Sequence, residues 1–173
     1  MHYCEIKNVD IANGIGVRVS LFVSGCTNHC ENCFQPQTWD FSYGKEFTAE
    51  TEDHILKLLK PDYISGLTLL GGEPFEPSNQ KRLLPFVKRV REELPNKTIW
   101  AFSGFTFEEL TDPDSYPYCE ATINLLSLMD VLVDGRYIEA KKDISLRFRG
   151  SSNQRLIDLN KTRDNGKIVL WQD

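Results

Sequence analysis

An α/β fold built on mostly parallel strands follows from three features of the sequence. Short runs rich in β-branched and aliphatic residues alternate with longer runs of helical spacing, the order that generates strand–helix–strand units. Each of these strand-like runs in the body of the chain is closed within a residue or two by glycine. No internal repeat, low-complexity tract or linker interrupts the series, so residues 1–173 are expected to form a single domain, long enough to bury a core.

The first predicted strand is Val17 to Val23, β-branched and apolar, and closed by Ser24-Gly25. After a cysteine-containing loop, Thr48 caps a predicted helix running to about Leu59, with Ile55, Leu56, Leu58 and Leu59 as its apolar stripe and Pro61-Asp62 as its stop. Gly66 to Leu70 is the second strand, ending at Gly71-Gly72-Glu73-Pro74. The next helix covers about Gln80 to Leu94, where Leu83, Phe86, Val87, Val90 and Leu94 keep helical spacing; Pro85 must kink it or sit in its first turn.

Thr98 to Phe102 is a third strand, ending at Ser103-Gly104, and Thr106 with Glu109 forms a capping-box signal. Asp112 to Pro117 reads as a loop, and a short helix near Cys119 to Leu126 leads into a fourth strand, Asp130 to Asp134, closed by Gly135. The tail has the pattern of a hairpin: Gln154 to Leu159, a turn at Asp164-Asn165-Gly166, then Ile168 to Trp171.

Composition narrows the function classes. Apolar residues at 40% and charged residues at 26% are the balance of an ordinary soluble globule. A net charge of −5 argues against a sequence-independent nucleic-acid coat. No apolar run approaches membrane-spanning length, and the N-terminal residues lack the apolar core of a secretory signal. The expected setting is therefore cytoplasmic, with no membrane and no nucleic acid as partner, where clustered reduced thiols read as metal ligands. Of the 5 cysteines, Cys4 and Cys119 stand alone and read as small, partly buried residues.

In parallel α/β sheets, ligands bind at the carboxyl ends of the strands. The unusual residues here all fall at those ends. Cys26, Cys30 and Cys33 follow strand one, Gly71-Gly72-Glu73 follows strand two, Ser103-Gly104 follows strand three and Asp134-Gly135 follows strand four. Three thiolates on one short loop suit three corners of an iron–sulfur cubane, leaving the fourth iron open. Structural zinc is the alternative, with His29, His2 or Cys4 as fourth ligand, although the second ligand pair usual in zinc fingers is missing.

Gly-Gly-Glu is either a tight turn or a bare backbone edge whose carbonyls and Glu73 carboxylate accept from an ammonium group. Asn13-Gly14-Ile15-Gly16 precedes a strand and reads as a turn rather than a phosphate loop. Asp134 suits a ribose hydroxyl or a cation, or is simply a strand-end carboxylate. Arg136, Lys141, Lys142, Arg147, Arg149 and Arg155 form a basic stretch relieved only by Glu139 and Asp143: a solvated face, or a contact for an acidic partner.

These motifs resemble the radical S-adenosylmethionine (SAM) family, whose Cys-x3-Cys-x2-Cys loop matches Cys26, Cys30 and Cys33 and whose Gly-Gly-Glu matches Gly71, Gly72 and Glu73. Within it, the chain is similar to the branch that activates anaerobic (class III) ribonucleoside-triphosphate reductase. That likeness covers Val9-Asp10, Asn13-Gly14, Leu21 to Cys26, Thr38-Trp39, Ile99-Trp100, Val131 to Gly135 and, most distinctively, Arg149-Gly150-Ser151-Ser152-Asn153-Gln154. The family's aromatic residue before the third cysteine is replaced by Asn32, with Phe34 following instead.

The resemblance implies an incomplete (β/α) barrel with the C-terminal hairpin added. It also implies a 4Fe-4S cluster on the three cysteines and SAM chelated at its open iron. Gly72 and Glu73 would orient the SAM amino group, and the Asn32, Cys33 and Phe34 backbone would meet the adenine; Ser103 and Asp134 join this cofactor-binding set as strand-end residues. An external one-electron donor would drive cleavage of the sulfonium to methionine and a 5′-deoxyadenosyl radical. That radical would take hydrogen from a glycine Cα of the reductase's catalytic subunit, with no side-chain acid or base required. The basic stretch around Arg149, with Arg147 and Arg155, is the expected docking face. Competing readings are an activase for another glycyl-radical enzyme, or a noncatalytic iron–sulfur module for electron transfer or sensing.

Overall fold

The four strands expected from the sequence form the centre of one mixed sheet in this computed structural model, which describes residues 1–172. In chain order the strands are β1 (His2–Asp10), β2 (Val17–Val23), β3 (Lys45–Glu46), β4 (Ile64–Gly71), β5 (Thr98–Phe102), β6 (Val131–Asp134) and β7 (Arg155–Asp158). Their spatial order is β3-β1-β2-β4-β5-β6-β7. The pairs β2–β4, β4–β5 and β5–β6 are parallel, and β1–β2, β1–β3 and β6–β7 are antiparallel. The sheet does not close on itself.

Antiparallel strands on both flanks are a departure from the expected, mostly parallel set. β1 has no apolar alternation because it lies near the edge with most of its residues half-buried or exposed, and its pairing with β2 slips twice. A strand that buries so little carries no strong period in its sequence.

Five helices join these strands: α1 (Ala49–Leu59), α2 (Pro77–Glu93), α3 (Phe107–Thr111), α4 (Thr122–Ser127) and α5 (Leu159–Asn165). Thr48 caps α1, and the Thr106–Glu109 box caps α3 as its sequence signal requires. Pro85 lies inside α2 rather than in its first turn, which Pro77 occupies. It is tolerated because it sits on the exposed face, where the carbonyl of Lys81, deprived of its partner, meets water.

The apolar stripes of α1 (Ile55, Leu56, Leu59) and α2 (Leu83, Phe86, Val87, Val90) pack on Val19, Leu21, Leu67, Leu69, Ile99 and Leu132 to form the main core. A smaller cluster on the opposite face joins Trp100, Val131, Val133 and Leu156, covered by Phe148 and Trp171. Burial on both faces accounts for the near-continuous apolar runs of the central strands.

Arg18 is the exception within β2. It is 0% exposed and donates to Thr68 Oγ1 (2.7 Å), Leu67 O (2.7 Å), Thr98 Oγ1 (2.9 Å), Thr98 O (3.0 Å) and Ile15 O (3.1 Å), with its guanidinium over Trp100. Burial pulls its pKa down to about 10, so it remains charged at neutral pH and fills the amino-terminal end of this face.

The tail is not a two-stranded hairpin. α5 intervenes, its N-terminus capped by Asp158 accepting from Lys161 N–H and its end marked by Gly166 at φ 64°. The Asp164-Asn165-Gly166 signal is thus a helix C-cap, which demands the same left-handed glycine as a tight turn. The two limbs still meet: Asp158 N–H donates to Val169 O (2.9 Å), Trp171 N–H donates to Leu156 O (2.9 Å), and Ile157 bridges Leu170.

A thiol-lined cavity at the strand ends

The carboxyl ends of β2, β4, β5 and β6 surround a cavity of about 640 Å³, the size of a small-molecule site. Cys26, Cys30, Cys33, Asn32, Phe34, Gly71, Gly72, Glu73 and Ser103 all line it. The convergence of these strand-end motifs, expected from their register, is a property of the structure.

The cysteine loop is stitched to the sheet at its base. Gly25 N–H donates to Thr38 O (2.8 Å), Gly72 N–H to Val23 O (2.7 Å) and Glu73 N–H to Gly25 O (2.8 Å). Asn79 of α2 donates to both Ser24 O (3.0 Å) and Glu73 O (2.9 Å). Glu76 Oε1 accepts the N–H and hydroxyl of Thr27, while its Oε2 accepts from Tyr116. The glycine pair serves this close approach: a Cβ on Gly72 would lie 2.7 Å from Gly25 O, and Gly71 has φ 107°. The turn and ligand-edge readings of Gly-Gly-Glu are therefore compatible.

Beyond Cys26 the loop curls through left-handed residues His29 (φ 44°) and Asn32 (φ 54°). The Cys26 sulfur receives the N–H groups of Asn28 and His29, and Cys30 receives that of Tyr137. Burial, and then the nearby Glu73 carboxylate, push the Cys26 thiol up to about 12; burial also raises Cys30. A buried Cys26 sulfur with two N–H donors and a half-buried Cys30 sulfur with one suit thiolates stabilised by metal, whose binding expels the protons.

His29 stacks on Trp39 at 4.4 Å instead of turning to the cysteines. Among the described residues no three His, Cys, Asp or Glu side chains converge on a point where one ion would sit. The donor set, three thiols facing a common cavity from one loop, fits a cluster.

Glu73 is 1% exposed and accepts four hydrogen bonds: from Phe75 N–H (2.9 Å), Ser103 Oγ (2.9 Å), Gly104 N–H (2.7 Å) and Asn28 Nδ2 (3.0 Å). Burial raises its pKa to about 7 against the pull of those donors. Ser103 in turn accepts from Phe105 N–H, so it fixes Glu73 as well as lining the cavity. Asp134 sits differently. It is 1% exposed, both its oxygens are bound by Arg155, and Phe107 N–H donates to Oδ2. The cavity wall at this strand end is Gly135, and the cation that Asp134 holds is Arg155.

Arg155 also pairs with Glu108, so its guanidinium ties β7 to the start of α3 as part of the frame. The Arg149–Gln154 segment folds back on the end of β6. Gln154 Oε1 accepts from Gly150 and Ser151 N–H, Gln154 Nε2 donates to Gly135 O, and Asn153 donates to Arg136 O. Asn28, Thr27, Glu76 and Asn79 were not singled out by sequence, where they are ordinary polar residues in a loop and a helix start.

The three-thiol cavity and a matching family model together mark an iron–sulfur protein. A family model described as a 4Fe-4S single cluster domain matches residues 12–157. Three proteins named anaerobic ribonucleoside-triphosphate reductase-activating protein are similar over nearly their whole length. That of Pasteurella multocida is 44% identical, covering 89% of this chain and 95% of its own. Those of Vibrio cholerae and Escherichia coli are 42% and 40% identical, each covering 89% of this chain and 96% of its own. The chain belongs to the family of anaerobic ribonucleoside-triphosphate reductase-activating proteins.

Proposed function

We propose that this chain holds a 4Fe-4S cluster on Cys26, Cys30 and Cys33, cleaves SAM reductively, and installs a glycyl radical on the catalytic subunit of the anaerobic reductase. The carrying observation is that the three thiols and the Gly71-Gly72-Glu73 turn open onto one cavity, in a chain of the activating-protein family. When bound, a reduced cluster held by Cys26, Cys30 and Cys33 would supply the single electron for cleavage of the sulfonium, the chemistry that ends in hydrogen removal from a glycine Cα.

The protein's own residues bind, orient and shield. Cys26, Cys30 and Cys33 would hold the cluster through three thiolates. Glu73 presents a buried carboxylate to an ammonium, held rigid by Ser103 and two backbone N–H groups. The backbone of Asn32, Cys33 and Phe34 offers polar edges to the adenine. Leu70 and Phe102 supply the apolar floor that keeps water from the reacting atoms. No side chain transfers a proton in this scheme. The reading includes a single domain, an external electron donor and a cytoplasmic setting; among the described residues no helix is long and apolar enough to cross a membrane.

The test is anaerobic reconstitution with iron and sulfide, then reduction in the presence of SAM. Expected are 5′-deoxyadenosine and methionine in equal amounts and, with the reductase added, a glycyl-radical doublet in the electron paramagnetic resonance spectrum. A correctly assembled cluster that never cleaves SAM, even with the reductase present, would instead support an electron-transfer or sensing module.

A further inference from the structure

Two apolar side chains stand out into solvent at the opening of the thiol-lined cavity. Phe34 is 94% exposed and Ile144 is 95% exposed, more than any other large apolar residue among those described, and both line the cavity. Single exposed apolar residues scattered over a surface are ordinary, but the two most exposed meeting at one opening mark a contact surface.

The backbone holds both in place. Phe34 follows a turn in which Cys33 N–H donates to Cys30 O (3.1 Å), and it precedes a 3-10 turn at Pro36–Trp39. Ile144 lies at the tip of a loop closed at its base by Asp143 N–H to Gly150 O (3.1 Å), Ser152 N–H to Lys141 O (2.9 Å) and the Lys142–Ser151 bridge. At the tip, Asp143 Oδ1 accepts from the N–H (2.9 Å) and the hydroxyl (2.6 Å) of Ser145. Phe148 on the return limb packs edge-on against Trp100 at 5.4 Å. The loop thus spends one apolar side chain as its anchor and holds another out.

Charge gives this opening little net pull. Among its lining residues Lys142 and Arg149 offset Glu139 and Asp143, with Lys142 only 3.7 Å from Glu139. The apolar pair is what remains for a partner to cover.

We propose that Phe34 and Ile144 are two prongs that grip apolar side chains beside the target glycine of the reductase's catalytic subunit. This rests on the reading of that glycine as the site of hydrogen removal. Glycine has no side chain for the activator to hold, so its neighbours must carry the recognition while its Cα enters the cavity. The prongs come from different loops but line one cavity, so a segment entering that cavity covers both. The area suits a short segment and not a second copy of this chain: an aromatic side chain buries about 150–250 Å², against roughly 1,200–2,000 Å² for a stable protein–protein interface.

The test measures binding of the cognate catalytic subunit to the cluster-loaded activator by anaerobic interferometry, with SAM present and no reductant. Ile144→Ser is expected to weaken binding about tenfold or more, the worth of burying one aliphatic side chain, with Ile144→Leu close to wild type. Phe34→Ser should weaken it at least as much, and Phe34→Leu less. Ile11→Ser, at a site 74% exposed but outside the cavity lining, should bind as wild type does. On the partner, serine in place of the apolar residues within two positions of the glycine should cost a similar factor, and combining this with Ile144→Ser should add little.

Iron content and thermal unfolding of each variant establish that cluster and fold are intact, and the Ile144 arm needs no change in the cysteine loop. Unchanged binding by Ile144→Ser, or losses that simply add between activator and partner variants, would overturn the prongs while leaving the function above intact. So would an activator dimer that Ile144→Ser splits without altering binding of the catalytic subunit, since a second copy would then cover the prongs. SAM cleavage by the wild type with no binding to the catalytic subunit and no radical on it would overturn both.

Discussion

Glu76 Oε1 accepts the backbone N–H of Thr27 at 2.7 Å and its hydroxyl at 2.6 Å, so a buried carboxylate at the start of α2 grips the residue after the first cysteine. Bonds to a charged acceptor contribute about 1.5–3 kcal/mol each. Glu76→Ala should therefore lower unfolding free energy by about 2–4 kcal/mol. It should also reduce iron retained after gel filtration, with Glu76→Gln intermediate. Denaturant unfolding and iron analysis check both; full iron retention by the alanine variant would show that the grip does not position the loop.

Gly72→Ala tests whether the glycine pair is needed for its small size. The added Cβ would meet Gly25 O at 2.7 Å and Thr38 O at 3.0 Å, both backbone atoms at the base of the loop. Overpacking against backbone typically costs about 1–3 kcal/mol. The expected variant folds with that loss and assembles less cluster. Gly166→Ala is the comparison, since nothing lies within 4 Å of its Cβ and only its left-handed φ is strained.

The cysteines divide into two groups. Cys26→Ser, Cys30→Ser and Cys33→Ser should each lose the cluster's visible absorbance, while Cys4→Ser and Cys119→Ser should keep full iron and sulfide. Loss of iron from Cys4→Ser would point to a fourth protein ligand and bring back the zinc-like reading.

Arg155→Glu would set a new carboxylate against Asp134, which is 1% exposed, and Glu108. An uncompensated buried charge costs about 3–5 kcal/mol. The expected result is a strongly destabilised protein in denaturant titration, and not a folded one with a selective docking defect. Arg155→Met, which removes the cation without adding a second anion, should be milder than the glutamate variant.

Acid stability should depend on Asp130. Burial alone would raise its pKa, but Asn160, Ile99 N–H and the Arg91 guanidinium together hold it below the ordinary carboxylate value. A depressed folded-state pKa means stability that is fully present above the unfolded pKa of about 3.9 and is lost as pH falls through the lower folded value. Asp130→Asn should flatten this acid limb and lower stability near pH 7 by about 1–3 kcal/mol. Urea unfolding at pH 7 and across pH 2–4 measures both; an unchanged acid limb would remove Asp130 from the account.

The central strands and α1 to α3 were legible because burial on both faces, or on one helical stripe, leaves an unmistakable pattern. Val17–Val23 and Thr98–Phe102 match their expected bounds. β1 was not legible, since a half-exposed strand keeps residues such as Glu5, Lys7 and Asn8 without regular alternation. Asp164-Asn165-Gly166 misled because the left-handed glycine it announces ends a helix as readily as it turns a hairpin. The cavity lining followed from strand-end register. Its supporting contacts, Glu76 to Thr27 and Asn28 to Glu73, join residues more than 40 positions apart and have no local signature.

The flanks of the sheet also bear on how another protein can attach. One border is β3, only two residues long and paired to β1 at His2 and Tyr3, so β1 from Cys4 onward carries most of that border. Its charged Glu5 and Lys7, its two register slips against β2 and the left-handed Val9 (φ 61°) are features that discourage an incoming strand. The other border is β7, whose free side receives Trp171 and bridges Leu170. Recognition through side chains and loops around the thiol-lined opening is thereby favoured over β-addition, and such a surface can diverge between relatives without disturbing the sheet beneath it.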